Sequence, residues 1–272
     1  MSCSRVQGLG DILVETEKIV SVMFCSIDVD SSIETIKKLF GYSMNPKRVE
    51  IVINFDEEDF DRENIESKFF KEIPEYTNDV KVVLSPKGWG YCDCRRMFEE
   101  MFDVSTGEFI FEFNDSFEKI TLGYDELISK YSGKLVWLTV DEICDVDGTR
   151  QKWHELFDFP IVHRKWIEIT GKLCYTNSPA SDTYPILKYA PELVKSSGIK
   201  LVHFPGHIAG DTIAMEKNPN SNGMCHLIDD ESYIHNKKVL YDNEPIYFHE
   251  AQKMIDIPRV RKFLEINPEY KV

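Results

Sequence analysis

No stretch of the 272-residue chain approaches the roughly 18 consecutive apolar residues that a membrane-crossing helix needs. The N-terminal segment "MSCSRVQGLGDILVETEKIV" lacks the charged-then-apolar pattern of a secretory signal, which leads to the expectation of a cytoplasmic protein without a membrane span. Basic charge is scarce: 32 Lys and Arg stand against 47 Asp and Glu, for a net charge of −15. The basic clusters are short, Arg95-Arg96 and His163-Arg164-Lys165. A protein that grips a nucleic-acid backbone needs a basic stripe, so nucleic acid is set aside as a partner. A small phosphorylated ligand held by two or three cations is not. Cysteine is present without a pattern. The seven residues, at 3, 25, 92, 94, 144, 174 and 225, make no repeated CxxC pair, so neither a structural zinc site nor a disulfide framework is indicated. The nearest approach to a metal or redox pair is Cys92-Asp93-Cys94; reduced thiols are the default. No GxSxG nucleophile elbow occurs.

What is present is the composition of a folded domain, 42% hydrophobic and 12% aromatic. Internal repeats, low-complexity tracts and a clear linker are all missing, which favours one continuous domain over two. "KIVSVMFCSI" (18–27) is a nearly continuous apolar run, the mark of a buried strand. In "SSIETIKKLFG", Ser31 and Glu34 have capping-box spacing, Ile33, Ile36 and Phe40 share a face, and Gly41 offers a stop. "RVEIVINF" (48–55) and "VKVVL" (80–84) predict two further strands. In "CDCRRMFEEMFDV", Met97, Phe98, Met101 and Phe102 recur at helical spacing, with Arg95, Arg96, Glu99 and Glu100 opposite. A fourth strand is predicted over 108–113. This order predicts an α/β fold with a mostly parallel central sheet flanked by helices.

The second half is less regular. "KLVWLTV" (134–140) and "IKLVHF" predict strands, and "FPIVHRKWIEITG" a short strand leading into a helix. A helix is expected over 184–196 despite Pro185 and Pro191. Residues 216–245, rich in Asn, Asp and Gly, predict a long loop or lid, and a C-terminal helix is expected to be interrupted near Pro258.

Ligands of parallel sheets bind at the carboxyl ends of strands. In "STGEFIFEFNDSFE" (105–118) the fourth strand runs into Asn114, Asp115 and Ser116. These are turn formers, and they are also oxygen ligands for a hard cation shared with phosphate. Asp56 ends the second strand, either as a solvated acid or as an acceptor for a base or ribose. "SPKGWGYCDCRR" (85–96) sets a Gly-rich turn before a helix, where backbone N–H groups and arginines can receive an anion.

This ordered set resembles the nucleotide-sugar-binding half of a GT-A (Rossmann-like) glycosyltransferase and is similar to the family-2-like group. "STGEFIFEFND" matches that family's phrase a-x-G-x-(Y/F)-I-x-F-x-D-D almost position for position. The resemblance covers residues 18–118 and continues more loosely to about residue 210. It implies a nucleotide-binding half (18–118), an acceptor-side half (119–215) and a loop or lid with a C-terminal helix (216–272). It further implies donor contacts from Asp56, Gly90, Tyr91, Arg95, Asn114 and Asp115. Mn²⁺ or Mg²⁺ would be held by Asp115 and His207, and Asp182 would be the general base. Asp182 also reads as a helix N-cap, and His203 reads as a core residue. The triplet departs from the family's D-x-D type, since only Asp115 is an acid. Two functions follow from the resemblance. One is inverting, metal-dependent sugar transfer from a nucleoside-diphosphate sugar to a glycan, protein or small-molecule acceptor. The other is a catalytically degenerate nucleotide-sugar or glycan-binding protein. A nucleotidyltransferase would need a Gly-rich basic loop after the first strand, where this chain has "CSIDVDSS".

Overall fold

The computed structural model describes residues 18–58, 60–86, 94–114, 117–146, 149–152, 159–173, 183–203 and 246–272. The strands are β1 (Val20–Cys25), β2 (Val49–Asp56), β3 (Val80–Ser85), β4 (Phe109–Glu112), β5 (Phe117–Ile120), β6 (Trp137–Val146), β7 (Thr149–Lys152), β8 (Ile161–His163) and β9 (Val194–His203). The helices are α1 (Val29–Tyr42), α2 (Arg62–Glu72), α3 (Cys94–Val104), α4 (Tyr124–Ser129), α5 (Arg164–Thr170), α6 (Thr183–Tyr189) and α7 (Ile246–Ile266). No helix among the described residues is long and apolar enough to cross a membrane.

One sheet carries all nine strands of the described residues, in the order β3-β2-β1-β4-β8-β6-β9-β5, with β7 paired to β6. The expected mostly parallel sheet is corrected here to a mixed one. β3, β2, β1 and β4 run parallel, joined by helical crossovers. Past β4 the directions mix: β8 is antiparallel to β4 and β6, β7 to β6, and β5 to β9, with β6–β9 parallel. A two-residue connection between Val146 and Thr149 leaves β6 and β7 no choice but a hairpin.

Each face of the parallel half has its own core. Val20, Val22 and Phe24 of β1 with Ile51, Ile53 and Phe55 of β2 pack under α1 and α2. Residues of the other parity, Met23, Val52 and Ile110, pack against Phe98 and Met101 of α3. Under α7, Trp137 and Trp166 meet edge to face at 5.4 Å, with Ile257, Val260 and Leu264 completing that cluster. α7 runs through Pro258, which lies on its exposed face, so the expected interruption does not appear in the helix.

Several boundaries differ from the sequence reading. α1 is capped by Asp28, whose carboxylate accepts from Ser31 N–H at 2.6 Å; Ser31 lies inside the first turn and Gly41 inside the last. α6 stops at Tyr189 because Ala190, preceding Pro191, takes a non-helical backbone (φ −144°, ψ 55°). A 3₁₀ turn at Pro191–Leu193 then leads directly into β9.

Gly107, the glycine of the "STGEF" phrase, has a steric cause. A Cβ there would lie 2.4 Å from the Ser21 backbone nitrogen, a separation no side chain tolerates. Its own N–H donates to Ser21 Oγ at 2.8 Å. The same edge holds Glu50, which accepts from Ser21 Oγ at 2.5 Å, Thr106 N–H at 2.7 Å and Thr106 Oγ1 at 2.9 Å, and pairs with Lys81 at 2.6 Å. Burial pushes the Glu50 carboxyl up, but the bonds from Lys81, Ser21 and Thr106 outweigh it and hold the group below the usual carboxylate range.

Candidate active site

β1 lies between β2 on one side and β4 on the other, so successive connections depart in opposite directions from β1. Such a switch point opens a crevice at the carboxyl ends of the strands. The first residues past it are Ser26 after β1 and Phe113-Asn114 after β4. Phe113 N–H still donates to the Met23 carbonyl at 2.8 Å, so the β1–β4 ladder persists to the point where Asn114 begins.

Alternation then fixes which side chains share the crevice's α3 face. Cys25 pairs with Asn54, Asp56 pairs with Ser85, and all four have the parity of Met23, Val52 and Val83, which face α3. Asn114 continues the parity of Ile110 on the same face. Of the predicted donor contacts, Asp56 and Asn114 are therefore placed by the fold at the tips of β2 and β4, both half-buried. Arg95 belongs to the first turn of α3; its side chain lies outside the described residues. Gly90, Tyr91, Asp115, Asp182 and His207 also lie outside them, as does the predicted lid at 216–245.

The two ends of the short segment that carries Asp115 are anchored in aromatic packing. Phe113 and Phe117 are buried, and their rings meet edge to face at 4.9 Å. Phe159 lies 5.8 Å from Phe113 and 5.6 Å from His203, centroid to centroid. His203, expected as a core residue, is 1% exposed, and its Nε2 stands 3.5 Å from Glu142 Oε2. It pairs with Phe117 across β5 and β9.

Charge at this end of the sheet is acidic. Asp28, Asp56, Glu57, Glu58 and Glu100 stand at or near the ends of β1, β2 and β3. The N-terminus of α1 already carries the Asp28 carboxylate on one of its N–H groups, which makes it a poor phosphate receptor. A diphosphate entering this crevice would need a cation to offset the rim. Oxygens of Asn114 and of the Asp115 and Ser116 that follow it in sequence would suit Mg²⁺ or Mn²⁺, which favour oxygen donors; Asp115 and Ser116 lie outside the described residues. Among the described residues, no group of three or more His, Cys, Asp or Glu side chains is arranged to hold a metal ion.

One network was missed by sequence reasoning. Asn54 Nδ2 donates to Ser85 Oγ at 2.5 Å, and Ser85 Oγ donates to Glu100 Oε2. Glu100 Oε1 accepts from Arg96 Nη1 at 3.1 Å, and Arg96 Nη2 donates to the Pro86 carbonyl at 2.8 Å. The i,i+4 spacing of Arg96 and Glu100 was the available signal.

Strand order, crevice and helices together make an α/β fold with one mixed sheet flanked by helices. Among solved structures the chain is similar to mannosyltransferase PcManGT from Pyrobaculum calidifontis in complex with GDP-Man and Mn²⁺. That match has 9% identity and a TM-score of 0.50, over 91% of this chain and 76% of that one. It is also similar to S. aureus TarS 1-349 in complex with UDP-GlcNAc, at 10% identity and a TM-score of 0.46, over 82% of this chain and 73% of that one. At such identities the likeness is one of fold. No protein-family description and no curated protein matches the sequence.

Proposed function

We propose that the chain is a glycosyltransferase that moves a sugar from a nucleoside-diphosphate sugar to an acceptor hydroxyl, with a divalent cation and inversion at the anomeric carbon. The observation that carries this reading is the switch-point crevice of a mixed α/β sheet, with Asp56 at the tip of β2 and Asn114, which leads in sequence into Asp115, just past β4. The fold neighbour PcManGT holds GDP-Man and Mn²⁺, which supports the reading.

In this account Asp56 accepts hydrogen bonds from the base or ribose, and Gly90, Tyr91, Arg95 and Asn114 line the donor. Asp115 and His207 hold Mn²⁺ or Mg²⁺, which neutralises the diphosphate when bound. The acceptor oxygen attacks the anomeric carbon, and its proton passes to the Asp182 carboxylate. The bond from that carbon to the diphosphate oxygen breaks, and the nucleoside diphosphate leaves with the electron pair. The work divides into a donor half (18–118), an acceptor half (119–215) and a closing segment with α7 (216–272). This reading sets the enzyme in a reducing, cytoplasmic compartment, where thiols stay reduced.

The test is release of nucleoside diphosphate from UDP-, GDP-, CMP- and dTDP-linked sugars (nucleoside monophosphate from the CMP sugar) in Mn²⁺, with mixed glycan acceptors. Asp182→Asn should lower turnover by about 10²–10⁴ while donor binding persists. Full turnover in that variant would remove Asp182 from the mechanism. The Asn-Asp-Ser triplet favours a second reading, a binding protein that has lost turnover. Ser116→Asp separates the two: it raises metal affinity and turnover in an enzyme, and leaves turnover absent in a degenerate binder.

A further inference from the structure

Glu100 sits on α3, and its two oxygens face different partners. Oε2 accepts from Ser85 Oγ, which also accepts from Asn54 Nδ2; Ser85 is fully buried and Asn54 is 1% exposed. Oε1 accepts from Arg96, whose other terminal nitrogen holds the Pro86 carbonyl. Taken alone, Arg96–Glu100 is a half-exposed i,i+4 pair of little worth. Here the carboxylate is oriented from below by a buried hydroxyl and amide, so its second oxygen presents a fixed acceptor to Arg96. Arg96 in turn ties Pro86, just past β3, to the first turns of α3. One carboxylate thus joins the carboxyl ends of β2 and β3 to both described ends of the β3–α3 connection.

We propose that Glu100 is a positioning residue for the nucleotide-sugar donor: with Arg96 it holds the ends of the connection that carries Gly90 and Tyr91 and sets the start of the helix that carries Arg95. The inference rests on the donor site proposed above. Glu100 itself touches neither sugar nor diphosphate.

Two readouts test it, one of which needs no donor. Amide hydrogen exchange of the peptide spanning 85–96 should accelerate at least about tenfold in Glu100→Ala and in Arg96→Met, as expected when a charge-assisted tie is lost. In Glu100→Gln, which keeps an acceptor for Arg96 and offers an N–H to Ser85, exchange should stay near wild type. Donor affinity, measured by thermal shift, should fall about tenfold in Glu100→Ala and in Arg96→Met. It should fall no further in the double variant, because the two residues act as one unit, and Glu100→Gln should restore it. Unchanged exchange in Glu100→Ala overturns the clamp, whatever the donor result. Faster exchange with donor affinity unchanged, or losses that add in the double variant, overturns the positioning role. A wild-type chain that binds no nucleotide sugar overturns the proposed function and this role with it, while the exchange result still reads the tie itself.

Discussion

The rings of Phe113, just past β4, and Phe117, the first residue of β5, meet edge to face with centroids 4.9 Å apart, although β4 and β5 pair with different neighbours in the sheet. Three residues, Asn114 to Ser116, connect them, so the chain that leaves β4 is pinned in the core on both sides of its only acid. The alternating strand that runs into Asn-Asp-Ser is thus held by buried rings on either side of the acid that we propose as a metal ligand. Phe113→Ala should cost about 3–5 kcal/mol of stability by cavity formation. Where that variant still folds, it should also lose cation-dependent donor binding. Chemical denaturation and a donor thermal shift measure the two effects. A Phe113→Ala protein as stable as wild type would contradict the packing account.

Gly107→Ala probes the other end of the same strand. With a Cβ placed 2.4 Å from Ser21 N, backbone must move against backbone, and a loss of about 1–3 kcal/mol is expected by denaturant titration. The motif glycine is then required by the close approach of β1 and β4, independently of any ligand.

Glu50 gives a pH prediction with a definite sign. Its folded carboxyl is held below the ordinary 4.5, so the unfolded chain binds the proton more readily. Its stabilisation is complete above the ordinary value and is lost as pH falls through the lower folded value. Glu108 behaves alike: burial raises its carboxyl, but bonds from His163, Gly133 N–H and Ser132 lower it further. Melting temperature should therefore decline steeply on the acid side of pH 4.5. In Glu50→Gln that decline should be shallower, from a lower starting stability at neutral pH. An unchanged acid limb in Glu50→Gln would refute the assignment.

Asp56→Asn should weaken donor binding roughly ten- to hundredfold, the worth of hydrogen bonds to a charged group, with little change in melting temperature. The side chain is half-buried at a strand tip and outside the apolar clusters, so a large stability loss would instead mark it as structural.

β1 and β2 were legible because burial on both faces demands continuous apolar runs, β3 and β4 as shorter apolar segments, and α3 because Met97, Phe98, Met101 and Phe102 mark one stripe. α2 was not, since only Ile65 and Phe69 of its eleven residues are buried, too few to mark an apolar stripe. β5 and α4 were too short to show a period. The direction of β8 depends on which strand it meets, which no local pattern records. In the site, Asp56 and Asn114 stood at strand ends and could be read there. The Asn54–Ser85–Glu100 link could not, because Ser85 meets Glu100 only after the crossover folds α3 back onto the sheet.

In the proposed function the switch-point crevice binds a nucleoside-diphosphate sugar through a divalent cation held by Asp115. This binding is tested most directly by thermal shift with UDP-, GDP-, CMP- and dTDP-linked sugars, with and without Mn²⁺, on the wild-type chain and on Asp115→Ala. The account predicts a Mn²⁺-dependent rise in melting temperature with one nucleotide class, and no such rise in Asp115→Ala, whose own melting temperature stays close to wild type. No rise with any sugar, or the same Mn²⁺-dependent rise in Asp115→Ala, would contradict it.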